Sequence, residues 1–247
     1  MDTSTPQQRQ EINWCVCAVV TMSPNGEGIP GHGVRGTAFL IDGEGDELFG
    51  VTAGHVLRGF QKMQGAALLL SNGDGFRELF ITGIEFHPTE DLAVFQLANS
   101  RPPGVTRLSV TADRFPVGLD YAVLGYPDDD YWRGDGKGVT LELTYSAGHV
   151  RRHRGPGELP GIKGAHFLEL SHRAGAGCSG APLLVRPTVA DGPNNSFRVF
   201  GIYVGERTSG APDDVAPLSF GYALPFSAVA DWCPELTKGR PLFKTSQ

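Results

Sequence analysis

The stretch Gly177-Cys178-Ser179-Gly180-Ala181-Pro182, running on into Leu183-Leu184-Val185, sets a serine among glycines directly ahead of an apolar run. Glycine lets a backbone N–H approach a ligand closely and adopt dihedrals that other residues avoid. A serine hydroxyl is a weak nucleophile at neutral pH and needs a base within hydrogen-bond reach. Histidine suits that task, provided a carboxylate fixes its tautomer and stabilises the imidazolium. Two upstream segments supply these partners, Val51-Thr52-Ala53-Gly54-His55-Val56 and Asp91-Leu92-Ala93-Val94. The order along the chain is His, Asp, Ser.

Taken singly, each residue has a structural reading: a turn serine, a surface histidine after a strand, an aspartate starting a strand. Cys178 is a competing nucleophile next to Ser179.

Composition bounds the surroundings of this set. The chain has 247 residues, with Gly 34 and Pro 18 and no periodic placement of either, which reads as many turns. A net charge of −6 gives no electrostatic footprint for nucleic acid or an anionic membrane. No segment reaches transmembrane length, and residues 1–12 are polar. The four cysteines, Cys15, Cys17, Cys178 and Cys233, read as small hydrophobes in a reducing compartment, so a cytoplasmic location is expected. No metal-ligand spacing stands out, and neither a metal nor an organic cofactor is expected.

Short β-rich segments follow one another: 14–21, 36–41, 47–52, 67–71, 79–86, 92–97, 121–125, 139–150, 166–170, 182–186, 198–204 and 219–224. Turn pairs such as Asp42-Gly43 and Asn72-Gly73 separate them. Helical patterns are confined to a short turn after His55 and a helix near 226–233. The spacing predicts a sandwich or barrel. Residues 1–13 read as a lead-in to a single domain over 14–247, with a weak boundary at 99–118. Two long loops are expected. Pro127 to Gly138 carries Asp128-Asp129-Asp130, whose consecutive carboxylates lack the alternation of a calcium loop. Arg151 to Gly164 carries the basic run Arg151-Arg152-His153-Arg154.

The local contexts resemble those of the chymotrypsin/trypsin-like serine proteases, closest to the HtrA-like bacterial branch. Gly36-Thr37-Ala38-Phe39-Leu40-Ile41 with Thr52-Ala53-Gly54-His55-Val56 is similar to the strand pair leading to the family's histidine. Glu90-Asp91-Leu92-Ala93-Val94-Phe95-Gln96-Leu97 is similar to its aspartate segment, and Gly177 to Pro182 to its G-x-S-G-x-P. Phe200-Gly201-Ile202-Tyr203-Val204-Gly205 and Phe220-Gly221-Tyr222-Ala223-Leu224-Pro225 complete the likeness, which runs from about residue 14 to 233. The resemblance implies an all-β fold of two six-stranded antiparallel barrels with a short C-terminal helix, the first barrel over about 14–105 and the second over about 118–233. It implies His55, Asp91 and Ser179 as a triad in the cleft, the Gly177 and Ser179 amides as the oxyanion hole, and a peptide substrate added as a strand along Ile202, Tyr203, Val204 and Gly205. The register selects Ser179 over Cys178.

Two departures bear on function. Cys178 stands where digestive relatives carry an aspartate that pairs with a newly cut N-terminus, so activity is controlled in another way. Arg173 stands where the resemblance places the floor of the primary specificity pocket. It attracts an acidic substrate side chain if it faces inward, and turns outward or pairs internally otherwise. His32, His87, His149, His153, His166 and His172 read as loop, surface or core residues, with His166 and His172 flanking the strand before the serine loop. The expected function is a selective intracellular serine endopeptidase with a protein or peptide substrate. A latent or regulatory binding module that needs a protein partner is the alternative. An esterase of the α/β-hydrolase type runs Ser, acid, His and needs helices between its strands, and so does not fit.

Overall fold

The structure is a computed structural model that describes residues 14–21, 33–43, 47–58, 66–71, 75–98, 105–127, 132–133, 139–185, 197–208 and 219–244. The lead-in, His32 and the Asp128-Asp129-Asp130 triplet lie outside them.

The first six strands are β1 (Val16–Thr21), β2 (Gly33–Asp42), β3 (Leu48–Ala53), β4 (Ala66–Ser71), β5 (Phe76–Phe86) and β6 (Leu92–Leu97). They close in the order β1-β2-β3-β6-β5-β4, every pair antiparallel. β3 is buried along its whole length, so both of its faces are packed. Cys15 and Cys17 lie in this core as the small hydrophobes expected.

The second half contains β7 (Ser109–Val110), β8 (Asp120–Gly125), β9 (Trp132–Arg133), β10 (Val139–Thr140), β11 (Thr144–Arg154), β12 (Phe167–Leu170), β13 (Pro182–Val185), β14 (Arg198–Thr208) and β15 (Ser219–Pro225). Six of these, in the order β13-β8-β11-β12-β15-β14, close through the β13–β14 pairing into a second antiparallel barrel. β7 adds to β14 in parallel, and β9 pairs with β10 apart from the barrel. The fold is the expected pair of six-stranded barrels.

Two expectations need correction. The basic run is not loop: Arg151 to Arg154 finish β11, opposite Phe167 to Glu169 of β12. Its charges are held there by Glu169, which is fully buried, accepts from Arg151 at 3.1 Å and Arg154 at 2.7 Å, and ion-pairs with Arg152 at 3.0 Å. A buried carboxylate is costly unless paired, and three guanidiniums satisfy it. The helix near 226–233 is only a 3-10 turn, Phe226–Ala228, followed by a second one at Glu235–Thr237. Pro234 disfavours helical geometry at the residue before it. This tail returns to the first barrel: Phe226 stacks on Phe243 at 4.0 Å, and Leu236 N donates to Glu85 Oε2 at 3.0 Å.

Candidate active site

β3 ends at Ala53, and the chain turns at once into α1 (Gly54–Arg58). The first amides of a helix have no partner within it. Asp91, at the entry to β6, supplies one: its Oδ1 accepts from His55 N at 2.9 Å, while its backbone oxygen accepts from Gly54 N at 3.0 Å. The other carboxylate oxygen, Oδ2, lies 2.5 Å from His55 Nδ1. That ring nitrogen faces a carboxylate and therefore carries the proton, which leaves Nε2 as the acceptor. The Asp91 side chain is 4% exposed and that of His55 47%, so a buried anion anchors an imidazole that reaches solvent. Arg58, also on α1, places a guanidinium nitrogen 3.5 Å from Asp91 Oδ1.

Ser179 lies in the loop between β12 and β13. Gly175, Gly177 and Gly180 in this loop all have positive φ, +96°, +85° and +88°. Gly180 can be nothing else: a Cβ there would collide with Thr37 O and Thr52 Oγ1. The neighbouring Ser179 carbonyl accepts from Thr37 N at 2.8 Å, and the Gly177 carbonyl accepts from Thr37 Oγ1 at 3.0 Å. The serine loop is thus laid against β2 and β3, beside the turn that carries His55. Among the described residues no hydrogen bond joins the Ser179 hydroxyl to His55, and the Gly177 and Ser179 amides donate to no protein acceptor. The Cys178 thiol is buried and donates to Ala174 O at 3.1 Å, directed away from solvent.

Sequence reasoning passed over Thr37. It is fully buried, and besides these two contacts its hydroxyl accepts from Tyr126 N at 3.0 Å and its carbonyl accepts from Thr52 Oγ1 at 2.6 Å. One side chain in the first barrel therefore ties the serine loop to the start of the second. The available signal was a threonine inside the apolar run Gly36-Thr37-Ala38-Phe39, which only a buried partner explains.

Of the expected substrate strand, Ile202 and Tyr203 are buried and already paired on the β13 side. Ile202 faces Pro182, Tyr203 N donates to Ala181 O at 2.9 Å, and Gly180 N donates to Tyr203 O at 2.7 Å. From Val204 onward β14 pairs with β15 alone among the described residues, so the open edge begins there and includes Gly205. Arg173 is 60% exposed and sits 3.8 Å from Glu206.

A family model described as trypsin-like peptidase domain matches residues 36–187, a span that holds His55, Asp91 and Ser179 together. The chain belongs to the trypsin-like peptidase family. This trypsin-like serine protease has the fold of several solved bacterial proteases. The MamO protease domain from Magnetospirillum magneticum is 14% identical, with 90% of this chain and 96% of that one covered and a TM-score of 0.56. The Rv3671c protease from M. tuberculosis in its active form is 21% identical, with 97% and 86% covered and a TM-score of 0.57. The HtrA-type protease AlgW with a tripeptide is 19% identical, with 91% of this chain covered and a TM-score of 0.57; the present chain spans 60% of that one. No curated protein matches the sequence. Among the described residues no helix is long and apolar enough to cross a membrane, and no group of three or more potential metal ligands comes together.

Proposed function

We propose that the protein is an endopeptidase that cleaves through an acyl-enzyme, with Ser179 as nucleophile, His55 as base and acid, and Asp91 orienting His55. The observation that carries the reading is the paired hydrogen bonding of Asp91 to the His55 backbone and ring, set beside a loop whose Gly177 and Ser179 amides donate to no protein acceptor among the described residues. Ser179 Oγ would lose its proton to His55 Nε2 as it attacks the peptide carbonyl. The imidazolium formed would be stabilised by buried Asp91 and would then give its proton to the leaving amine. The Gly177 and Ser179 N–H groups would receive the oxyanion; removal of one such donor generally costs on the order of 100- to 1000-fold in rate. Substrate would enter as a strand on the open edge of β14 from Val204. Water would then hydrolyse the acyl-serine with His55 again as base. The absent Ser179–His55 hydrogen bond is compatible with this, because catalytic contacts often tighten only when substrate is bound.

The finer reading is a selective intracellular enzyme; its intracellular part is supported by four cysteines that form no disulfide, three of them buried. A fluorophosphonate probe tests the mechanism. The purified chain should label, and Ser179→Ala should not label while keeping its fold. Undiminished labelling of the variant would remove Ser179 from its role. A wild-type chain that labels only after a partner protein is added would favour the latent module.

A further inference from the structure

We propose that Tyr203 is a specificity-determining residue: its ring fills the recess beside Ser179 that takes the substrate side chain before the scissile bond, so that only glycine, alanine or serine fits there. The proposal rests on the endopeptidase reading above.

The backbone of Tyr203 is locked to the serine loop on both sides, through Gly180 N and Ala181 O. Its side chain then passes beneath the 174–178 loop. The Ala174 N–H donates to its hydroxyl at 3.2 Å, and the hydroxyl donates to Glu206 Oε2 at 3.4 Å. On the other side the ring meets β15 at Gly221, where an added Cβ would lie 2.8 Å from Tyr203 Cε2. Cys178, Leu170, Ala181 and Ala223 share its apolar cluster. The ring therefore occupies the space between the serine loop, β14 and β15, with its hydroxyl on Ala174, next to Arg173, where the resemblance places the floor of the primary specificity pocket. Tyr203 is 0% exposed. A tyrosine buries roughly 150–250 Å² of surface, comparable with what an aromatic or long aliphatic substrate side chain would bury in an open recess.

Nothing about the ring suggests a swinging gate. Displacing it would strip the hydroxyl's two hydrogen bonds and open a cavity in close-packed surroundings. Burial raises the phenol's pKa well above its ordinary value, so the hydroxyl stays protonated. Arg173 does not enter this space; it approaches the outer oxygen of Glu206, whose other oxygen accepts from Tyr203. It thus turns outward and acts on the recess through Glu206, the alternative to an acidic preference, and the preference is set by size.

The experiment profiles a peptide library varied at the residue before the scissile bond, for wild type, Tyr203→Val and Tyr203→Phe. Fluorophosphonate labelling is measured on the same preparations. Wild type should cleave after glycine, alanine or serine at least about tenfold faster in kcat/KM than after leucine or phenylalanine. One or two methylenes already change such ratios by about 10- to 200-fold. Tyr203→Val should gain leucine and phenylalanine cleavage by about tenfold or more, and Tyr203→Phe, which keeps the ring, should retain the small-residue profile. Wild type that labels yet cleaves readily after phenylalanine or leucine overturns the inference and leaves the serine mechanism intact. So does a folded, labelling Tyr203→Val that still refuses large residues. Wild type that does not label removes the endopeptidase reading and this inference with it. If Tyr203→Val fails to fold, the other two profiles decide, a large-residue preference in either one overturning the inference.

Discussion

Replacing Thr37 by valine deletes one hydroxyl while preserving the branched shape of the side chain. The hydroxyl donates to Gly177 O and accepts from Tyr126 N, both at 3.0 Å, and the residue is fully buried, so water cannot take its place. Leaving a buried polar group unsatisfied costs about 1–3 kcal/mol. Two such groups set a range of about 2–6 kcal/mol, and we expect about 3 kcal/mol, which is roughly a hundredfold or more in the folding constant. Equilibrium urea denaturation followed by tryptophan fluorescence would read this as a lower midpoint at an unchanged slope. Thr37→Ser keeps the hydroxyl and loses a methyl, and should cost about 1 kcal/mol. Because Gly177 also loses an anchor, Thr37→Val should label more slowly with a fluorophosphonate under conditions where it remains folded. A valine variant within about 0.5 kcal/mol of wild type, or a serine variant as damaged as the valine one, would refute the argument that this hydroxyl fastens the serine loop.

Two further perturbations probe neighbouring features. His87 Nδ1 accepts from Glu90 N at 3.0 Å and Thr89 N at 3.3 Å, and burial, opposed by Glu90 and aided by Lys163, lowers its pKa from 6.5. The unfolded chain therefore binds the proton more readily, and the contribution of His87 to stability is complete above about pH 6.5 and lost as pH falls below it. The stability difference between wild type and His87→Gln should shrink from about pH 7.5 to about pH 5; a constant difference would refute the assignment. Gly180→Ala should lose about 3 kcal/mol or more, lowering Tm by about 6–12 °C, because strain and collision act together. Gly157→Ala, at φ +79° with nothing within 4 Å of its added Cβ, should lose only about 1–2 kcal/mol. Equal losses in a thermal melt would show that the contact with Thr37 and Thr52 is irrelevant.

Those elements that were legible in the sequence are the ones whose stability is local. β6 matches the expected 92–97, an apolar run that enters at Asp91 and is buried over most of its length. The contexts around His55, Asp91 and Ser179 were legible because a tight turn, a strand entry and a glycine loop each leave a short imprint. β7 was missed because two residues pair with a strand about ninety positions away, and nothing local demands it. The end of β11 was misread because Arg151 to Arg154 look solvated until Glu169 is placed beneath them. That Tyr203 is already paired was not legible locally, because its backbone partners are Gly180 and Ala181 across the loop.

The adjacent carboxylates Glu90 and Asp91 show how the aspartate is held in place across the cleft. Both are buried, yet they serve opposite barrels. Asp91 turns to the amide and ring of His55, while Glu90 accepts from Ala165 N at 3.0 Å in the second barrel and lies 3.5 Å from His166 Nδ1. Gly164 makes room for that contact, since a Cβ there would stand 2.6 Å from Glu90 Oε2. Thr37 reaches from the first barrel to the serine loop, and Glu90 reaches from the aspartate turn to the second barrel. The cleft is therefore tied on both sides of His55. A rigid-body slip of one barrel against the other would have to break buried polar contacts at both ties, each costing about 1–3 kcal/mol if left unsatisfied. On this argument the relative placement of His55 and Ser179 is set by the seam between the barrels.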